Sequence, residues 1–304
     1  MIGVFDSGEG GLSVLREIAK LLPDHPYVYF SDNAYCPYGE KSRELIEARS
    51  REITLRLVGE GAQIIVVACN TATAAAISSL RKDFSTPTNE TRKLLLDISH
   101  GRQDNVQFIG MEPAVKPAAL GTKSGVIGVL ATSGTLKGSK YLTTKGTYEE
   151  GCKIVEHVGR GFVELVERGE FEGEHAEKVI SESLCPLLEQ GADTIVLGCT
   201  HYPFLLDTMR KIAGPSIRFI DPAPAVARHL IYVMVGQGIL SEREATYALT
   251  RVIRLAELSD RGEEVPPFSR SDGTPYPDVK LLSSGDREPL QRIFSLIYPG
   301  SKTI

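Results

Sequence analysis

GAQIIVVACNTATA (61–74) and GADTIVLGCTHYPF (191–204) share one grammar. In each, a glycine opens a short apolar run, the run ends in a cysteine, and hydroxyl or amide residues follow. A near-continuous apolar run without alternation reads as a strand of a parallel sheet covered on both faces. Gly61 and Gly191 lie 130 residues apart, as do Cys69 and Cys199. MIGVFDSGEG (1–10) is likewise echoed by VIGVLATSGT (126–135), with Gly3 and Gly128 125 residues apart. Two separate segments recurring at nearly one offset predict an internal duplication.

The rest of the chain alternates in the same way. IGVFDS (2–7) reads as a strand, followed by a helix with Leu12, Leu15, Ile18, Ala19 and Leu22 at helical spacing. YVYFSD (27–32) is a strand entering the loop 33–40, and an amphipathic helix follows from about Ser42 to Glu60. TATAAAISSLR (71–81) continues the first cysteine segment as a helix. Two polar stretches, 82–105 and 256–278, read as surface insertions or linkers. LLSSGDREPLQRIFSLIY (281–298) reads as a final amphipathic helix, with its start signal at Ser284 to Asp286.

These elements predict an α/β protein: two pseudo-symmetric Rossmann-like domains with mainly parallel sheets, facing each other across a central cleft. Residues 1–108 plus 222–304 form the first domain, which is discontinuous and carries Cys69. Residues 109–221 form the second and carry Cys199. Ligands of open α/β sheets lie beyond the carboxyl ends of the strands, where Asp6, Cys69, Thr132 and Cys199 fall. The symmetry would bring Cys69 and Cys199 to one ligand from opposite sides.

Composition narrows the function. The 304 residues carry 34 basic and 39 acidic side chains, and no basic block suited to tracking phosphates, so nucleic acid is not an expected partner. No apolar run reaches the length of a membrane helix, and the N-terminus has no secretion-signal pattern. Five widely spaced cysteines, Cys36, Cys69, Cys152, Cys185 and Cys199, suit free thiols in the cytoplasm. No paired Cys or His spacing supports a zinc site, so no metal is expected. GEGG (8–11) fails the dinucleotide fingerprint because Ser13 takes the third glycine position. Cys36 falls in a cleft loop and reads as incidental; Cys152 and Cys185 read as packing residues.

A thiol between a buried strand and a helix N-terminus faces unpaired backbone N–H groups, which favour thiolate and lower its pKa. The same donors can bind a substrate carboxylate. One such cysteine suggests a nucleophile. Two, opposed and symmetry-related, suggest proton transfer at a carbon stereocentre, with a base on one face and an acid on the other. No cofactor is expected for such chemistry. A non-catalytic amino-acid binding protein is the alternative from another class.

The sequence resembles the glutamate racemases of the wider aspartate/glutamate racemase group. The resemblance rests on FDSGEGGLSVL (5–15), DNAYCPYGEKS (32–42), ACNTATA (68–74), GMEPAVKPA (110–118), GVLATSGTL (128–136), FVELVE (162–167), GCTHYP (198–203), DPAPAVA (221–227) and SSGD (283–286). It implies that Cys69 and Cys199 are the two proton donor/acceptors on glutamate. Asp6, near Cys69, and His201, beside Cys199, would assist, with Glu167 aiding less directly. Asp6, Ser7, Tyr38, Gly39, Asn70, Thr71, Thr200 and His201 would contact substrate. It further implies a cytoplasmic, cofactor-independent homodimer that supplies D-glutamate for peptidoglycan, and so serves cell-wall biogenesis and cell shape. An aspartate racemase, a hydantoin racemase and a single-thiol decarboxylase are neighbouring readings. The chain departs from the family pattern at Val158-Gly159-Arg160-Gly161, just before FVELVE.

Overall fold

The computed structural model describes residues 1–260 and 268–299. The first stretch runs β1 (Ile2–Asp6), α1 (Leu12–Leu21), β2 (Tyr27–Ser31), α2 (Arg43–Gly59), β3 (Ile64–Val67), α3 (Asn70–Leu80), α4 (Asn89–Ile98), β4 (Gln107–Ile109). The middle runs α5 (Val115–Gly121), β5 (Val126–Ala131), α6 (Ser133–Leu136), α7 (Ser139–Tyr148), β6 (Lys153–Val158), α8 (Phe162–Arg168), α9 (Glu174–Glu189), β7 (Thr194–Gly198), α10 (Leu206–Ala213), β8 (Arg218–Ile220). The chain then returns through α11 (Ala223–Gly236), α12 (Glu242–Asp260), β9 (Val279–Ser283) and α13 (Glu288–Ile297).

The strands form two sheets, ordered β4-β3-β1-β2-β9 and β6-β5-β7-β8. All pairings among the described residues are parallel. Read from the other edge, the second sheet is β8-β7-β5-β6, which matches the first strand for strand apart from β9. The register repeats too: Gly3 lies opposite Ile65, and Gly128 opposite Ile195. Packing explains both glycines. A Cβ on Gly3 would come within 2.9 Å of Ala62 Cβ, and one on Gly128 within 2.6 Å of Ile195 Cδ1. The order is the doubly wound 2-1-3-4 type, whose ligand site lies at the β1/β3 switch point. Cys69 follows β3 beside the end of β1, and Cys199 follows β7 beside the end of β5.

The cores follow from this layering. The apolar side of α1 (Leu12, Leu15, Ile18, Ala19) is buried in a cluster that continues through β7, α9 and α11. α2 and α3 cover the other face of the first sheet, over Ile65 and Val67. β3 is buried at every position, as its unbroken apolar sequence requires.

Three expectations need correction. Across 82–105, a π-type turn (Arg81–Ser85) enters the stretch from α3 and Asn89–Ile98 form a helix, capped by Thr88 Oγ1 accepting from Thr91 N at 3.3 Å. Phe84 and Leu95 are buried there, so this stretch belongs to the fold and is not a mere linker. The final segment is helical only in its second half: Val279–Ser283 is a strand paired with β2, Leu281 opposite Tyr29, and the helix runs from Glu288, just past the expected start signal, with Asp286 Oδ1 accepting from Glu288 N at 3.0 Å. Of the second polar stretch, Asp260 still ends α12, while 261–267 lie outside the described residues.

Candidate functional site

The carboxyl ends of β1, β3, β5 and β7 and the loops behind them converge. Cys69 is the N-cap of α3, its Sγ accepting from Ala72 N at 3.4 Å and lying 3.7 Å from Ser7 Oγ. Asp6 is fully buried; one oxygen accepts from Ser7 N at 2.8 Å, the other from Gly11 N at 2.6 Å and from Thr200 Oγ1 at 3.1 Å. That last bond joins the two halves of the molecule, as does Ser13 Oγ donating to the Thr200 carbonyl at 2.9 Å.

Cys199 Sγ lies 3.6 Å from His201 Nδ1, and His201 Nε2 lies 2.6 Å from Glu167 Oε1 on α8. The glycine loop fits this pair closely. A Cβ on Gly10 would fall 2.3 Å from His201 Nδ1, and one on Gly8 2.4 Å from Glu167 Oε1. Thr71 Oγ1 meets Thr132 Oγ1 at 2.8 Å and Thr135 Oγ1 at 3.3 Å, a hydroxyl cluster spanning both halves. Both amide atoms of Asn70 are buried without a hydrogen-bond partner among the described residues, which makes them candidates for a ligand.

Gly39 lines a cavity of about 740 Å³ together with Lys41, Thr132, Lys137, Arg160 and Glu164. Tyr38 behaves differently: it is buried, and its hydroxyl donates to Asp32, a carboxylate also held by Arg49 at 2.6 Å. Neither thiol lines the cavity; Cys69 is 5% exposed and Cys199 8%. Residues to which the sequence reading gave no role also enter the site: Ser13, Thr135 and Glu9, together with Cys36, which was placed in a cleft loop but read as incidental and here lies 4.0 Å from Glu167 Oε1. A charged residue between glycines, as at Glu9, was the one available signal.

The electrostatics of the two sides differ. Burial pushes the Cys69 thiol well up, helped by the neighbouring Asp6 charge, and the Ala72 N–H recovers only part of this. The helix terminus therefore does not lower this pKa as expected: desolvation of a buried thiolate outweighs one hydrogen bond. Burial also raises Asp6, opposed chiefly by the charge of His201. For His201, burial works against the charge, but hydrogen bonds with Cys199, Cys36 and Glu167 overcome it and raise its pKa well above the usual histidine range. Hydrogen bonding thus favours the charged form of the imidazole beside Cys199, while burial favours the neutral thiol at Cys69 beside a carboxyl.

A family model described as Asp/Glu/Hydantoin racemase matches residues 105–230. The glutamate racemase of Stutzerimonas stutzeri is 42% identical over 245 residues, covering 81% of this chain and 86% of that protein. That of Methylococcus capsulatus is 44% identical, covering 80% and 83%. Among solved structures, a glutamate racemase isoform from Bacillus anthracis superposes with a TM-score of 0.72 at 26% identity, covering 100% of this chain and 95% of that one. The Escherichia coli glutamate racemase, solved with L-glutamate and an activator, gives 0.65 at 34% identity over 77% and 82%. These relatives define the class, that of the amino-acid racemases. Within it, the chain belongs to the glutamate racemase family.

Proposed function

We propose that this protein interconverts L- and D-glutamate by a two-base mechanism without a cofactor, Cys69 and Cys199 acting from opposite faces of the α-carbon. The carrying observation is the placement of both thiols at equivalent turns of two matched sheets, each with its own proton partner. Asp6 stands by Cys69 and His201 by Cys199. In one direction a thiolate takes the α-hydrogen as a proton, the electron pair stays on carbon, and the opposite thiol protonates it. In the other direction the roles reverse. Ser7, Asn70, Thr71 and Thr200 would bind the amino acid's charged ends, with Tyr38 and Gly39 shaping the entrance loop. Glu167 would act through His201. Lys41, Lys137 and Arg160 outnumber Glu40 and Glu164 around the cavity, which favours an anionic substrate such as glutamate.

The reading includes two domains, 1–108 with 222–304 and 109–221, a division that the sheet membership supports except at Ile109, which still pairs with Val66 in the first sheet. A homodimer in the cytoplasm, feeding D-glutamate to peptidoglycan precursors, goes with it; no helix among the described residues is long and apolar enough to cross a membrane.

The test is to incubate each enantiomer of glutamate with the protein in D₂O. Solvent deuterium should appear at the α-carbon of the inverted product. Cys69→Ser and Cys199→Ser should each cut racemisation by orders of magnitude in a folded protein. Near-normal turnover in either variant refutes the mechanism, and turnover of aspartate alone refutes the substrate.

A further inference from the structure

Cys36 is not one of the two proton-transferring thiols. Its sulfur nevertheless lies 4.0 Å from the Glu167 Oε1 that pairs with His201 Nε2 at 2.6 Å. One donor atom from each of the three residues falls within 4.8 Å of the other two. They come from the loop after β2, from α8 and from the turn after β7, so no sequence spacing announces them. Thiolate, imidazole and carboxylate are the donor types zinc prefers, and three protein ligands leave a fourth position open.

Two further observations point to a cation. Glu9 is fully buried beside the group, its Oε2 has no hydrogen-bond partner among the described residues, and its backbone N–H binds the same Glu167 oxygen at 2.9 Å. A buried carboxylate oxygen without a partner, on a residue bonded to Glu167, crowds acidic groups together in a way that a dication would relieve. A second cavity, about 360 Å³, opens onto Cys36 and Glu167 beside Asn33 and Asp286 and offers a way in.

We propose that Cys36, Glu167 and His201 form a Zn²⁺ site whose occupation switches off proton transfer at Cys199. The binding stands on its own; the effect on turnover rests on the racemase reading. On binding, the Cys36 thiol and the Nε2–H of the protonated His201 each release a proton to solvent, and the sulfur, a Glu167 oxygen and the freed Nε2 lone pair become ligands. Water or a substrate carboxylate completes the shell. The remaining ring proton is then fixed on Nδ1, facing Cys199 Sγ at 3.6 Å. An imidazole held in this way can neither take up nor give back a proton, and Cys199 loses its partner.

The experiment titrates metal-free protein with Co²⁺, reading thiolate-to-metal charge-transfer absorption, and separately measures glutamate racemisation against Zn²⁺. Wild type should show the band at about one Co²⁺ per chain, and Zn²⁺ should displace it and inhibit. Cys36→Ser and Cys36→Ala should lose the band and, measured against each variant's own metal-free rate, need at least ~tenfold more Zn²⁺ for half inhibition. No band in wild type, or an unchanged band and Zn²⁺ sensitivity in both variants, overturns the proposal. A Cys36-dependent band in a protein that does not racemise glutamate upholds the site and refutes the functional reading instead.

Discussion

Replacing Glu9 by glutamine should stabilise the protein, and by an amount that depends on pH in a defined way. Glu9 is fully buried in the glycine loop, and burial first, then the Glu167 charge, move its carboxyl from an ordinary 4.5 to about 8. The folded state therefore holds this proton more tightly than the unfolded chain. Its contribution to stability is intact below about pH 4.5, falls as pH rises to about 8, and levels off beyond. At roughly 1.4 kcal/mol per pH unit, the loss is about 3 kcal/mol at pH 7 and about 5 kcal/mol above pH 8. Glutamine cannot ionise, and its Oε1 can keep the bond from Asn33 Nδ2, now 3.1 Å. Its new N–H₂ replaces an oxygen that has no partner, with Ser31 Oγ another buried group in need of one. Urea unfolding of wild type and Glu9→Gln at pH 5, 7 and 9 measures the difference. The variant's advantage should be small at pH 5 and grow by ~2–3 kcal/mol at pH 7. A difference that is flat across this range would show that Glu9 ionises as easily in the fold as outside it, and the reasoning would fail.

Glu167→Gln should lower kcat/KM about ten- to a hundredfold, since a hydrogen bond to a charged group contributes about 1.5–3 kcal/mol. It should also shift the His201 ionisation downward in a pH–rate profile, because one of the bonds that raise it is lost; an unmoved profile would deny Glu167 that role. Gly10→Ala puts a methyl where His201 Nδ1 stands, 2.3 Å away. Turnover should collapse while stability falls by only about 1–3 kcal/mol, the usual overpacking cost. Full activity in a folded Gly10→Ala protein would mean that the imidazole position is not critical.

Much of this architecture could be read in advance because its signals are local. β3 and β7 are unbroken apolar runs, and the cysteines directly behind them mark where each strand gives way to a helix. The repeat of Gly3 and Gly128 is legible because both glycines answer one packing demand, a helix or side chain pressed onto the sheet. β9 escaped because its place is set by β2, some 250 residues earlier, and VKLLS has no pattern that excludes the start of a helix. The helix Asn89–Ile98 was hidden by a polar surface, with Leu95 its only buried residue. At Cys69 the sequence showed the favourable half of the electrostatics, a helix N-terminus, but not the depth of burial that outweighs it. The meeting of Cys36 with Glu167 and His201 is purely tertiary and has no linear trace.

The matched strand orders carry a kinetic consequence for the reaction proposed. The two thiols occupy equivalent turns but unlike surroundings, a carboxyl at one and an imidazole at the other. Mirror-image reactant and product have equal free energy in achiral water, so the Haldane relation forces identical kcat/KM for the two enantiomers, whatever the mismatch between the halves. Any handedness of this active site can surface only as kcat and KM rising or falling in step for one enantiomer relative to the other.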